Sequence, residues 1–116
     1  MNRMIGNTVG VESGETVLFS DFEDGGEMWT GKGQRERRQR IIFSTPFKDI
    51  PTVQASLALW DVDNATVMRA DLRSENIAED GFDLVFRTWG DTRVARVRIA
   101  WFAIGPLPQE EDWDVY

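Results

Sequence analysis

Histidine and cysteine are both absent from the 116 residues. Without His there is no Ser-His-Asp triad, no Cys-His pair and no imidazole metal ligand. Without Cys there are no disulfides, thiolate nucleophiles or zinc knuckles, and no cysteine clue to compartment, so localisation stays unassigned. A long amphipathic helix is also lacking, because apolar residues recur mostly every second position. No apolar run approaches the roughly 20 residues that span a bilayer, so membrane insertion is not expected. Residues 1–16 hold one Arg and no continuous apolar stretch, so they do not read as a secretory signal. These absences exclude most ordinary enzyme chemistry and leave no cofactor to assign.

What is present suits one domain with a real core: 41% apolar residues, with five Trp and seven Phe. The net charge is −7, from 20 acidic against 13 basic residues. Such a chain repels a nucleic-acid backbone as a whole, and binding one would need a local basic patch. Lys32, Arg35, Arg37, Arg38 and Arg40 form one, with Glu36 between them. The run reads first as a solvated strand edge whose charges discourage edge-to-edge pairing. A polyanion site and a contact between protomers are the other readings. The acidic stretch Glu110-Glu111-Asp112-Trp113-Asp114 reads as a loose tail, or as a partner for basic residues of a neighbour.

Alternation predicts about six strands, at 14–19, 38–44, 52–60, 67–74, around 82–87 and around 97–103. Val53, Ala55, Leu57 and Leu59 face one way, against Thr52, Gln54, Ser56 and Ala58. Phe82, Leu84 and Phe86 alternate with Asp83, Val85 and Arg87, and Val97, Ile99, Trp101 and Ala103 with Arg96, Arg98, Ala100 and Phe102. Short connections carrying Asp, Asn and Gly, with no crossover helices, argue for an all-β antiparallel sandwich over residues 14–105. Residues 1–13 and 106–116 are terminal extensions on this reading. Residues 20–33 form a glycine-rich loop around Met28-Trp29.

Few constellations carry chemistry. Asp61-Val62-Asp63-Asn64-Ala65-Thr66 has alternate carboxylates but Thr where a calcium loop needs Gly, so a self-capped turn is the better reading and no metal is assigned. Gly10-Val11-Glu12-Ser13-Gly14 lacks the Lys and the strand-to-helix context of a phosphate loop. No acid/base pair can be nominated, so no catalytic residue is assigned. More informative is Phe86-Arg87-Thr88-Trp89-Gly90-Asp91-Thr92. Trp89 falls on the wet face with Arg87, at a strand end, and Arg69 on a neighbouring wet face can reach it. An indole beside an Arg and a carboxylate suits a sugar: the ring stacks on C–H groups while planar donors and acceptors take hydroxyls. The alternative is that Trp89 packs under a loop or against another protomer.

Thr88-Trp89-Gly90-Asp91-Thr92-Arg93-Val94, followed by Val97-Arg98-Ile99-Ala100-Trp101-Phe102-Ala103-Ile104-Gly105, resembles the carboxy-terminal signature of the H-type lectins. Ile42-Phe43, Pro46-Phe47, Pro51-Thr52-Val53, Leu57, Asp61, Arg69 and Asp80-Gly81-Phe82 extend the resemblance over roughly residues 38–105. It implies a six-stranded antiparallel sandwich that forms a homotrimer or a dimer of trimers. It also implies a glycan ligand, galactose or N-acetylgalactosamine in type, held between protomers. Arg69 and Trp89 match the family's sugar-binding Arg and Trp, with the Gly90-Asp91 turn at the mouth. Gly90 and Ala95 stand where the family's snail agglutinin has a contacting His and Tyr. Ungapped counting puts Lys32 at the family's carboxylate position. Trp29 is a candidate for a replacement stacking surface.

Overall fold

The structure, a computed structural model, describes residues 8–108. The acidic stretch at 110–114 and most of the two expected extensions lie outside the described residues. The strands are β1 (Val9–Ser20), β2 (Arg35–Ile42), β3 (Thr52–Val62), β4 (Asp71–Glu75), β5 (Gly81–Thr88) and β6 (Val94–Pro106), with a one-turn helix α1 (Glu27–Thr30) between β1 and β2. They form two three-stranded antiparallel sheets, β1-β6-β3 and β2-β5-β4, the sandwich that the alternation predicts.

The core lies between the two central strands. Phe82, Leu84 and Phe86 of β5 and Val97, Ile99, Trp101 and Ala103 of β6 are buried. Phe82 meets Trp101 edge-on at 5.3 Å, and Phe43 meets Phe47 the same way at 5.1 Å. Edge-to-face rings add about 0.5–1.5 kcal/mol per pair beyond the area they bury. Gly14 lies opposite Trp101, and a Cβ there would stand 2.8 Å from the indole, so the missing side chain admits the ring.

Several boundaries differ from the sequence reading. β1 begins at Val9, not at residue 14, and runs antiparallel to β6 as far as Pro106. The strand expected at 67–74 is β4, which begins at Asp71 and ends at Glu75. Residues 67–70 form a loop in which side chains take two of the carbonyls: the Thr92 hydroxyl donates to Val67 and the Thr88 hydroxyl to Arg69. Both edge strands of the first sheet bulge at one level, between Val17 and Phe19 and between Leu57 and Leu59. An extra residue reverses the faces beyond it. Leu59 therefore pairs with Arg98 and shares an outer hollow with Val17, instead of facing the core with Leu57.

The outer face of β2-β5-β4 is an ionic lattice. Arg38 bonds Asp83 and Glu75, Arg40 bonds Asp83, Arg87 bonds Glu36 and Glu75, and Arg73 bonds Asp71. Among them Val85 is fully buried. Long Arg stems across the two edge strands account for that burial of an outward-facing residue. Arg37, on the other side of β2, pairs with Asp21 and Glu27 at 2.7 Å and lies 5.7 Å from the Phe19 ring. The basic run is thus a strand edge whose guanidiniums are held by the protein's own acceptors. The outer face of β1-β6-β3 carries fewer charges, with Arg98 paired to Glu15 at 3.1 Å. Its cross-strand rows Val11–Ile104–Thr52 and Ser13–Phe102–Gln54 carry no charge.

Candidate functional site

The turn after β5 is fixed from two sides. Gly90 has φ +70°, a left-handed conformation that favours glycine, and its carbonyl accepts the Gly33 N–H at 2.9 Å and Arg35 Nη2 at 3.2 Å. These bonds stitch the loop after α1 to the turn. On the other side the Thr88 hydroxyl holds the Arg69 carbonyl at 2.5 Å, so the short loop before β4 delivers Arg69 to the turn. Arg69 Nη1 then pairs with Asp91 Oδ1 at 2.8 Å and lies over Gly90, 3.1 Å from where a Cβ would stand. Arg69, Gly90 and Asp91 come together as the sequence suggests, with Trp89 beside them and 43% exposed. Lys32 is exposed on the stitched loop but does not line the cleft beside Trp89.

That cleft, about 690 Å³, opens at the Trp89 end of the β2-β5-β4 face. Its working surface is Trp89 with Gln34, Glu36, Asp71, Arg73 and Arg87. Register brings them together: Glu36 and Asp71 both stand opposite Arg87, from the two flanking strands. Asp71 Oδ2 accepts Arg73 Nε at 2.7 Å and stands 4.0 Å from Arg87 Nη1. Arg87 Nε bonds Glu36 at 2.8 Å. Among the described residues this leaves Asp71 Oδ1, the Gln34 amide and both Arg73 Nη groups without a protein partner. The cleft therefore offers an aromatic plate, an open acceptor and an open planar donor. Below it, buried Arg35 donates to the carbonyls of Glu27, Met28, Gly33 and Gly90 and makes no ion pair among the described residues. Burial lowers its proton affinity from the ordinary arginine value, partly offset by Glu27.

Arg73, Asp71 and Arg87 are legible in the sequence as wet-face residues, yet only cross-strand register gathers them with Trp89. Glu36 and Gln34 lie at the end of the basic run, and nothing local marks them. Trp29 does not stack on a ligand from a free position. Arg93 lies 4.3 Å over its ring, Phe22 meets it edge-on at 5.1 Å, and Arg93 Nε donates to its carbonyl. Ala95 is buried, and its carbonyl takes the N–H groups of Asp21 and Phe22. The Asp63 carboxylate accepts the Ala65 N–H at 2.9 Å, the self-capped turn expected there. Among the described residues no three His, Cys, Asp or Glu side chains converge to hold a metal, and no helix is long and apolar enough to cross a membrane.

The chain is 51% identical over 111 residues to "ATP synthase subunits region ORF 7" of Fuscovulum blasticum, with 96% of each covered. It is 34% identical over 77 residues to Discoidin-2 of Dictyostelium discoideum, spanning 65% of this chain and 30% of that protein. The Discoidin-1 proteins of the same organism are 31% identical over 96 residues, spanning 80% of this chain and 38% of theirs. The solved structure of wild-type discoidin II superposes with a TM-score of 0.72 at 28% identity, covering 84% of this chain and 36% of the other. The chain thus spans little more than a third of the discoidins it matches. Residues 38–104 match the H-type lectin domain. The chain belongs to the H-type lectin domain family.

Proposed function

We propose that the protein is a non-catalytic carbohydrate-binding module whose ligand stacks on Trp89. The observation that carries this reading is an exposed indole at the edge of a cleft that also holds an open carboxylate oxygen, Asp71 Oδ1. A pyranose has one apolar C–H face and a rim of hydroxyls, and this pairing meets both. Arg69 and Asp91, paired across Gly90, form the adjoining lip, and Lys32 is a cation on the loop behind it. Galactose or N-acetylgalactosamine is the ligand type that the family resemblance supports. Assembly as a homotrimer, or a dimer of trimers, would set sites between protomers, and weak sites would gain retention through avidity.

The test is a glycan array beside a mass measurement in solution. Wild type is expected to be retained on terminal galactose-type glycans at about 40 kDa, three times 13.3 kDa. Trp89→Ala is expected to lose retention at unchanged mass. A protein that binds no glycan under multivalent conditions sinks the reading. A second reading is a structural or adhesive assembly protein, such as a component of a phage-like or secreted particle, that keeps the fold without strong sugar binding. The closed Arg69–Asp91 pair and the uncharged rows of the β1-β6-β3 face favour it. It predicts tight association with a protein partner that Trp89→Ala leaves intact.

A further inference from the structure

We infer that the cleft beside Trp89 takes an anionic pyranose, with the sugar's carboxylate in the fork of Arg73. This inference rests on the carbohydrate reading above and sharpens its ligand class.

Three facts of charge and geometry carry it. First, the cleft lacks the molecule's excess of negative charge. The chain is −7, yet three arginines (35, 73 and 87) line the cleft against Glu36 and Asp71, with Glu75 behind Arg87. The adjoining Arg69–Asp91 lip adds no net charge. A concave site without the repulsion of the rest of the surface admits an anion.

Second, the guanidiniums of the cleft are not equally committed. Arg87 spends its nitrogens on Glu36 and Glu75. Arg35 spends its nitrogens on main-chain carbonyls, so its charge stays in the cleft wall uncancelled by any ion pair among the described residues. Arg73 is held by Nε alone, at 2.7 Å from Asp71 Oδ2, and is the most exposed of the three. A guanidinium gripped at Nε is oriented but keeps its Nη edge. Two parallel N–H groups on that edge match the two oxygens of a carboxylate.

Third, the same carboxylate that orients the fork leaves Oδ1 open to accept hydroxyls. One ligand can therefore use all three elements: its ring on Trp89, a hydroxyl on Asp71 and its acid group on Arg73. A neutral hexose would leave the fork to water. A sulfate ester presents similar oxygens, so the shared chemistry is an anionic sugar.

The experiment is an NMR titration of the full chain with methyl galactosiduronate, methyl galactoside and a galactoside 6-sulfate, each monovalent. Exposed ion pairs are worth up to about 1 kcal/mol, so the uronate should bind about fivefold tighter than the neutral sugar at low salt. The preference should shrink as salt is raised. In Arg73→Gln the ratio of the two affinities should fall towards one, while the thermal melt stays put because the residue lies on the surface. Uronate and sulfate binding alike supports recognition of any sugar anion, and uronate alone narrows it to carboxylates. Neutral sugar binding as tightly as both acids overturns the inference but leaves the carbohydrate reading standing. Binding of none of the three, with no response at Trp89, overturns both.

Discussion

Gly90 links backbone chemistry to the site. Its φ of +70° supports the turn that presents Trp89, and its bare Cα lets the Arg69 guanidinium lie across it. Gly90→Ala should therefore cost about 1–2 kcal/mol, from the left-handed backbone alone. It should also push Arg69 away from Asp91, because the new Cβ would sit 3.1 Å from Nη1. Thermal unfolding should show a fall of roughly 5–10 °C for a domain of this size. An unchanged melting temperature would mean that the turn is not held in this conformation. At this scale the sequence is informative about Trp89, Arg69 and Asp91, because an indole on a wet strand end has no core to fill. It is silent about Arg35. Charged residues are placed outside by any polar/apolar pattern, and only three-dimensional closure of the loop over β2 buries this one.

At the scale of strands, the sandwich is readable because the core-facing residues of each central strand recur at every second position, as in Phe82, Leu84 and Phe86 or Val97, Ile99 and Trp101. The bulges are not, since an extra residue leaves composition unchanged and only reverses which face follows. Leu59 looks like the next core residue after Leu57 until its pairing with Arg98 is seen. The basic run likewise reads as free charge until register sets acidic residues beside it. Its carboxylates have a measurable signature. The Asn76 amide, helped by Arg40 and Arg38 against the effect of burial, holds Asp83 below the ordinary range. The Arg38 guanidinium does the same for Glu75, with Arg87 adding to it. A folded pKa below the unfolded one gives stability that is present above the unfolded value, about 4, and lost as pH falls through the folded value. Denaturant unfolding should therefore show stability flat from about pH 7 to about 5 and declining below about 4. In Asp83→Asn the acid decline should be shallower. A mutant decline as steep as that of wild type would contradict the assignment.

Across the whole molecule, the two sheets present different surfaces. One outer face is an ion-pair lattice ending in the Trp89 cleft, and the other carries two uncharged cross-strand rows followed by the Arg98–Glu15 pair. Glu36, Asp71, Arg73 and Arg87 belong to both the lattice and the cleft, and the candidate site stands at strand ends, where Trp89 does not fill the core. The absence of His and Cys fits this arrangement. A sandwich closed by aromatic packing and arginine pairs needs neither a staple nor a metal, and a site that stacks and hydrogen-bonds a sugar needs no proton shuttle. The central claim is that sugar is held on Trp89. It is tested most directly by following the five indole N–H signals during titration with methyl galactoside and methyl galactosiduronate, with Trp89→Phe identifying the one that belongs to Trp89. That signal is expected to shift in a saturable way with at least one of the two sugars, while the buried Trp101 signal holds still. Saturable binding that leaves the Trp89 signal unmoved, or no binding at all, would contradict the claim.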